Sequence, residues 1–201
     1  MAAVKKLHHL NAWERTPVDR HPATLPTAIA GLDELLPGGG WPEAGLVEII
    51  VPDDYVDAMA LVLPLMAHLG VQDRWLGMVA PPCIPRARIL QDRRINPLRL
   101  QQVNSHAGRS DMWTMEYMLQ DGNYSLVLGW PSCDTELVAR RLANAALAGN
   151  SLGILFRYES FSTTVSRSGL RMKLEINEIG KLVYRLNNRG ERSSDAVLLA
   201  G

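Results

Sequence analysis

Hydrophobic positions in this chain fall into two textures. Between residues 46 and 156 they form unbroken apolar runs separated by amphipathic stretches, whereas from residue 170 onward apolar and polar residues alternate. The runs Leu46–Val51, "RWLGMVAP", "YSLVLGW" and "LGILFRY" predict buried strands, and a shorter strand is expected over Leu98–Val103. Between them, helices are expected over Ala28–Leu36, from Asp53 or Asp54 to Leu69, over Arg86–Arg93, over Ser110–Gln120 and through "DTELVARRLANAALAGN". Gly70 and Gly149 supply stop signals, and Pro64 is expected to kink its helix. Met112, Met115, Met118 and Leu119 are expected to face inward. Strands read as continuous apolar runs and alternating with helices predict a mostly parallel central sheet covered on both faces. The alternating stretch "LRMKLEINEIGKLVYRLNNRGE" predicts an antiparallel hairpin turning at Glu178–Gly180, followed by a tail over 191–201.

At the other end, Val4, Leu7, Leu10 and Trp13 recur at helical spacing, giving a thin apolar stripe on an amino-terminal helix. Pro17, Pro22 and Pro26 make the following segment an extended connector. The expected organisation is therefore an amino-terminal helix and connector (1–23), an α/β core (24–190) and the tail. Pro37–Gly40 reads as a structural turn requiring positive φ, and Trp41 and Trp130 suit either core or interface.

Composition narrows the picture only where charge is unevenly placed. The chain has 201 residues, 47% hydrophobic, with 21 basic and 21 acidic residues that cancel. No Lys or Arg occurs from residue 21 to 73, where seven acids lie between Asp33 and Asp57, while residues 86–99 carry five arginines. Such polarity steers partners. The two cysteines, Cys83 and Cys133, form no CxxC pattern, read as small core residues and suit a reducing cytoplasm. No run reaches membrane-spanning length. The five histidines are scattered, and no metal or cofactor site is expected.

Strand, loop and helix around "EIIVPDDYVDAM" have the order of a phosphate-binding loop without its chemistry. The pattern G-x-x-x-x-G-K-[ST] places Val51 and Val56 at the glycines, Asp57 at the lysine and Ala58 at the hydroxyl. Asp53, Asp54 and Asp57 would each oppose an anion by about 4 kcal/mol at ~4 Å and an effective dielectric of ~20. With no GxSxG, HExxH or GxGxxG motif, an enzyme is not expected.

The run "LPTAIAGLDELLPGGGWPEAGLVEII" resembles the segment leading into the phosphate loop of RecA-type recombinases, and "RWLGMVAPP", "INPLRLQQV" and "YSLVLGW" extend that resemblance over residues 24–156. It implies a RecA-like core that lacks the ATPase residues: Pro81 stands near the catalytic glutamate position, and Gly129 or Trp130 stands where the second acid would end its strand. Gly-Gly-Gly-Trp-Pro and the carboxy-terminal hairpin resemble the ImuA family. "LPLMAHLGVQDRW", "DGNYSLVLGW" and "ANAALAGNSLGILFR" are similar to the SulA family. The ImuA resemblance implies a cytoplasmic, DNA-damage-linked scaffold for translesion synthesis, contacting ImuB, an error-prone polymerase and RecA. The alternative, SulA, implies a division inhibitor that sequesters FtsZ. Leu7, Leu10 and Trp13 are the expected interface under the first reading. Arg74 and Arg99 match basic positions important in SulA. Arg171, Arg185, Arg189 and Arg192, with Arg167, are candidates for meeting DNA or an acidic partner.

Overall fold

A computed structural model describes residues 23–52, 58–104, 111–130, 136–161, 168–178, 180–187 and 189–199. Leu7, Leu10, Trp13, Asp53, Asp54, Val56, Asp57, Cys133 and Arg167, and with them the expected amino-terminal helix, lie outside these residues.

The chain enters through a two-residue strand, β1 (Thr24–Leu25), which pairs antiparallel with β2 (Trp41–Pro42). Between them lies α1 (Leu32–Leu35). This helix is shorter than expected because Gly31 enters it in the left-handed region, and Asp33 Oδ1 accepts a hydrogen bond from the Thr27 N–H at 2.8 Å. Gly38 and Gly39 have φ of 80° and 81°, as a glycine turn requires. At Gly40 any Cβ would lie 2.2 Å from the Leu25 carbonyl oxygen, so the β1–β2 approach itself demands glycine.

The chain continues through β3 (Gly45–Val51), a 3-10 turn (Ala58–Leu61) and α2 (Leu63–Leu69). Pro64 occupies the first turn of α2, where its missing N–H costs nothing, so it starts this helix rather than kinking a longer one. Next come β4 (Trp75–Val79), α3 (Ala87–Asp92), a 3-10 turn (Pro97–Arg99), β5 (Leu100–Val103), α4 (Asp111–Gln120), β6 (Tyr124–Gly129), α5 (Glu136–Ala148) and β7 (Leu152–Tyr158). A 3-10 turn (Glu159–Phe161), β8 (Leu170–Asn177), β9 (Gly180–Leu186) and β10 (Arg192–Leu199) complete the chain.

One eight-stranded sheet dominates, in the order β10-β9-β8-β3-β7-β6-β4-β5. All pairings from β8 to β5 are parallel; β9 and β10 add antiparallel. The mostly parallel sheet and the carboxy-terminal hairpin are thus present, with one addition. Residues 192–199, expected as tail, form β10, whose polar "RSSDA" start carries no apolar pattern but whose backbone pairs with β9.

Side chains of the central strands alternate between two cores. On one face Val47, Ile49, Met78, Leu126, Ile154 and Met172 pack with α1, α2, Leu90 and Ile95. On the other Leu46, Val79, Val127 and Leu155 pack under Met115, Met118 and Leu119 of α4 and Leu142 and Ala146 of α5. Trp41 and Trp130 are both core, and Trp130 stacks on Phe156 at 4.6 Å. Met112 is only partly buried, and Cys83 is exposed because "PPCIP" is a surface loop rather than a continuation of β4. No helix of the described residues is long and apolar enough to cross a membrane.

Candidate partner-binding surface

The expected site residues part company in the structure. Val51 ends β3 in the core and Ala58 is buried at the start of the following 3-10 turn. At the end of β6, a Cβ on Gly129 would stand 2.5 Å from Met115 Sδ, so a side chain there would require the Met115 side chain to move. Among the described residues no His/Cys/Asp/Glu group is arranged to hold a metal ion.

Arg74 and Arg99 fall together at the start of β4, with opposite assignments. Arg74 turns inward. Its Nη1 donates to the Asn150 carbonyl (2.7 Å), and its Nη2 donates to the carbonyls of Gly149 (2.9 Å) and Tyr124 and to Ser151 Oγ (3.1 Å). The guanidinium therefore ties β4 to the start of β6 and to the α5–β7 turn, which Asn150 enters at φ 48°. Burial holds its pKa below the ordinary guanidinium value. Removing this side chain strips charge-assisted partners worth about 1.5–3 kcal/mol each from several carbonyls. Arg74 is accordingly a fold-positioning residue of this edge, not a free contact.

Arg99 stays at the surface. Its Nη1 donates to the Asp73 carbonyl (2.6 Å), and its guanidinium lies 5.7 Å from the Trp75 ring centroid, a cation–π distance. Asn96 caps the 3-10 turn that follows it, its Oδ1 accepting from the Leu98 N–H (3.0 Å). Leu98 is 82% exposed and Val71 79%. Trp75, Ile84 and Ile89 are also exposed, while Leu90 and Ile95 anchor α3 in the core. Behind Trp75, the buried Tyr124 hydroxyl donates to Gln101 Oε1 on β5. Burial first, then Asp121 and Tyr117, raises the pKa of that phenol. The stacked pair Trp113–Tyr117 on the outer face of α4 adds two more exposed rings. Exposed apolar groups beside a fixed cation at a sheet edge make this region a candidate for protein recognition.

The carboxy-terminal arginines divide as well. Arg171 is buried at 1% exposure and pairs with Glu48 (Nε–Oε2, 3.0 Å), so it is withdrawn from DNA or any other external partner. Arg157, equally buried, lies 3.6 Å from the other Glu48 oxygen. Burial lowers the Arg157 pKa, and Glu48 acts against that shift. An acid inside the apolar run Leu46–Val51 was the signal for this cluster, since a buried carboxylate requires a buried cation. Arg192 pairs with Glu175 (3.0 Å) and lies 5.0 Å from the Tyr184 ring centroid. Arg185 and Arg189 are exposed.

Residues 45–153, more than half the chain and the stretch from β3 into β7, match the family model described as cell division inhibitor SulA. This chain belongs to the SulA family. Among curated relatives, the cell division inhibitor SulA of Serratia marcescens is 35% identical over 116 residues, covering 57% of this chain and 69% of the relative. That of Yersinia enterocolitica is 35% identical over 127 residues with the same coverage. The crystal structure of SulA from Pseudomonas aeruginosa is 19% identical, covers 56% of this chain and 97% of that one, and gives a TM-score of 0.47. The SulA match overturns the expectation of a translesion scaffold contacting ImuB and polymerase. The features that suggested ImuA, the Gly-Gly-Gly-Trp-Pro turn and the carboxy-terminal hairpin, are structural elements flanking the SulA-matched segment.

Proposed function

We propose that this SulA-family chain is a cell division inhibitor that binds FtsZ through the β4/β5 edge and acts by occupancy, without turnover. The observation that carries the reading is the pairing of family membership with a sheet edge at which Arg99, fixed over the exposed Trp75 ring, stands next to exposed Leu98. Burial of such residues against a partner is worth about 25 cal/mol per Å² of apolar area, and a central arginine supplies direction. Arg74 serves this surface by holding the start of β4 in place.

The underlying sheet is a RecA-type core in this reading. A buried strand, β3, lies at the centre of the parallel array, as a phosphate-binding strand would, and the sequence after it carries Asp57 at the lysine position of the phosphate-loop pattern. The protein would work in the cytosol, its expression tied to DNA damage, with residues 1–23 as an appended helix and connector.

Titrating the protein into polymerising FtsZ tests this directly. Inhibition should saturate near one inhibitor per FtsZ, and Leu98→Asp with Arg99→Glu should abolish it while leaving the far-UV spectrum unchanged. Undiminished FtsZ polymerisation at a severalfold excess of inhibitor would refute it.

A further inference from the structure

A second surface lies on the amino-terminal ends of the parallel strands, away from β4 and β5. An apolar cleft of about 530 Å³ opens there, between α5 and the start of β3, lined by Pro37, Pro42, Ala44, Ala143, Leu147 and Leu170. Leu147 is 62% exposed beside it. Arg140, Ala143, Asn144 and Leu147 follow the i, i+3, i+4, i+7 spacing of one helical face, so α5 presents a continuous wall. Through Pro37, Gly169 and Leu170 this cleft runs into a second of about 680 Å³, whose lining includes Arg185, Arg189 and Arg192 and one acid, Glu191, which accepts from the Asn187 side-chain amide at 2.7 Å. The Asn187 side chain shapes that rim by accepting from the N–H groups of Arg189 (2.9 Å) and Glu191 (3.0 Å). Among the described residues no acid pairs with Arg140, Arg185 or Arg189.

We infer that this groove is a docking surface for an acidic, amphipathic segment of a partner protein. Apolar anchors would sit in the cleft between Pro42 and Leu147, with carboxylates at Arg140 on one end and at Arg185 and Arg189 on the other. Guanidiniums facing solvent at both ends select anionic groups, and the aliphatic middle selects apolar side chains between them. Nucleic acid fits less well, because among the described residues no aromatic ring on which a base could stack lines the two clefts. The groove is separate from the β4/β5 edge, so it stands whether or not that edge binds FtsZ. From β8 to β5 there are five strand spacings, about 24 Å.

The test uses the full chain and a fluorescein-labelled 16-residue peptide of leucine at helical a and d positions with glutamate elsewhere, read by anisotropy. Binding in the micromolar range is expected, weakened roughly tenfold by the double variant Arg185→Glu/Arg189→Glu and to a similar degree by Leu147→Asp or Arg140→Glu. Raising salt from about 50 to 500 mM should weaken it severalfold. Absence of binding at about 1 mM peptide would overturn the proposal, as would binding that these variants leave unchanged. A labelled dT20 oligonucleotide binding more tightly than the peptide, insensitive to Leu147→Asp, would overturn it in favour of a phosphate-binding patch. Peptide binding seen only after removal of residues 1–22 would overturn it in favour of a groove occupied by the chain's own amino terminus.

Discussion

The two ends of the sheet solve the same problem, how to finish an open β-structure, with different materials. At the β5 end the last strand has four residues, and Arg99 lies over the exposed Trp75 ring next to exposed Leu98. At the β10 end, strands of seven and eight residues lead into a chain of charges that runs inward from Arg192 with Glu175, through Lys173 with Glu175 and Glu159, to the buried centre of the sheet, where Glu48 on β3 meets Arg171 and Arg157. An apolar edge invites a partner, whereas a charged edge discourages strand addition. The SulA-matched segment contains the first edge and stops before the second. Inhibition would thus reside at the β5 end, and the added antiparallel strands close the sheet.

The comparison breaks most severely if the chain of charges loses its buried member. Glu48→Ala leaves two arginines in the core without their carboxylate and should lower unfolding free energy by about 3–5 kcal/mol in urea titrations. Next comes Arg74→Ala, expected to cost about 3 kcal/mol by releasing the carbonyls of Tyr124, Gly149 and Asn150. Its effect on FtsZ binding should disappear when binding is measured far below the variant's unfolding midpoint. Arg99→Glu should do the reverse: stability within about 1 kcal/mol of the parent, but FtsZ affinity reduced at least about tenfold, near 1.4 kcal/mol.

The smallest effect is on pH dependence. Hydrogen bonding to Glu159, then to Glu175, against desolvation, raises the pKa of Lys173 above 10.5. A raised folded-state value gives stability that is complete below pH 10.5 and lost as pH climbs through the folded pKa. The alkaline decline in melting temperature should therefore be shallower in Lys173→Met than in the parent.

Sequence legibility followed burial. β3, β4, β6 and β7 were readable because strands covered on both faces are apolar at nearly every position, and the α5 pattern ended at Gly149 as its stop signal required. β10 was not, because an edge strand held by backbone bonds needs no hydrophobic code. Arg171 looked external because alternation in "LRMKLEIN" marks a polar face. That face is covered at Arg171, whose guanidinium is satisfied by Glu48 on the neighbouring β3. Arg74 and Arg99 were found together but could not be told apart, since three carbonyl partners and one hydroxyl 50 to 77 residues away leave no trace in local pattern. Leu98, the most exposed large apolar residue here, was assigned to a strand. The Asn96 cap and Pro97 turn the chain before β5 and place Leu98 in that turn rather than in the strand.

Calorimetric titration of FtsZ with the wild-type chain and with Leu98→Asp bears most directly on the central claim that the β5 end is the inhibitory surface. Saturable one-to-one heat from the wild type, lost in a folded Leu98→Asp protein and retained in Arg185→Glu/Arg189→Glu, is the predicted result. Equal binding by the wild type and Leu98→Asp, or binding lost only in the Arg185/Arg189 variant, would contradict it.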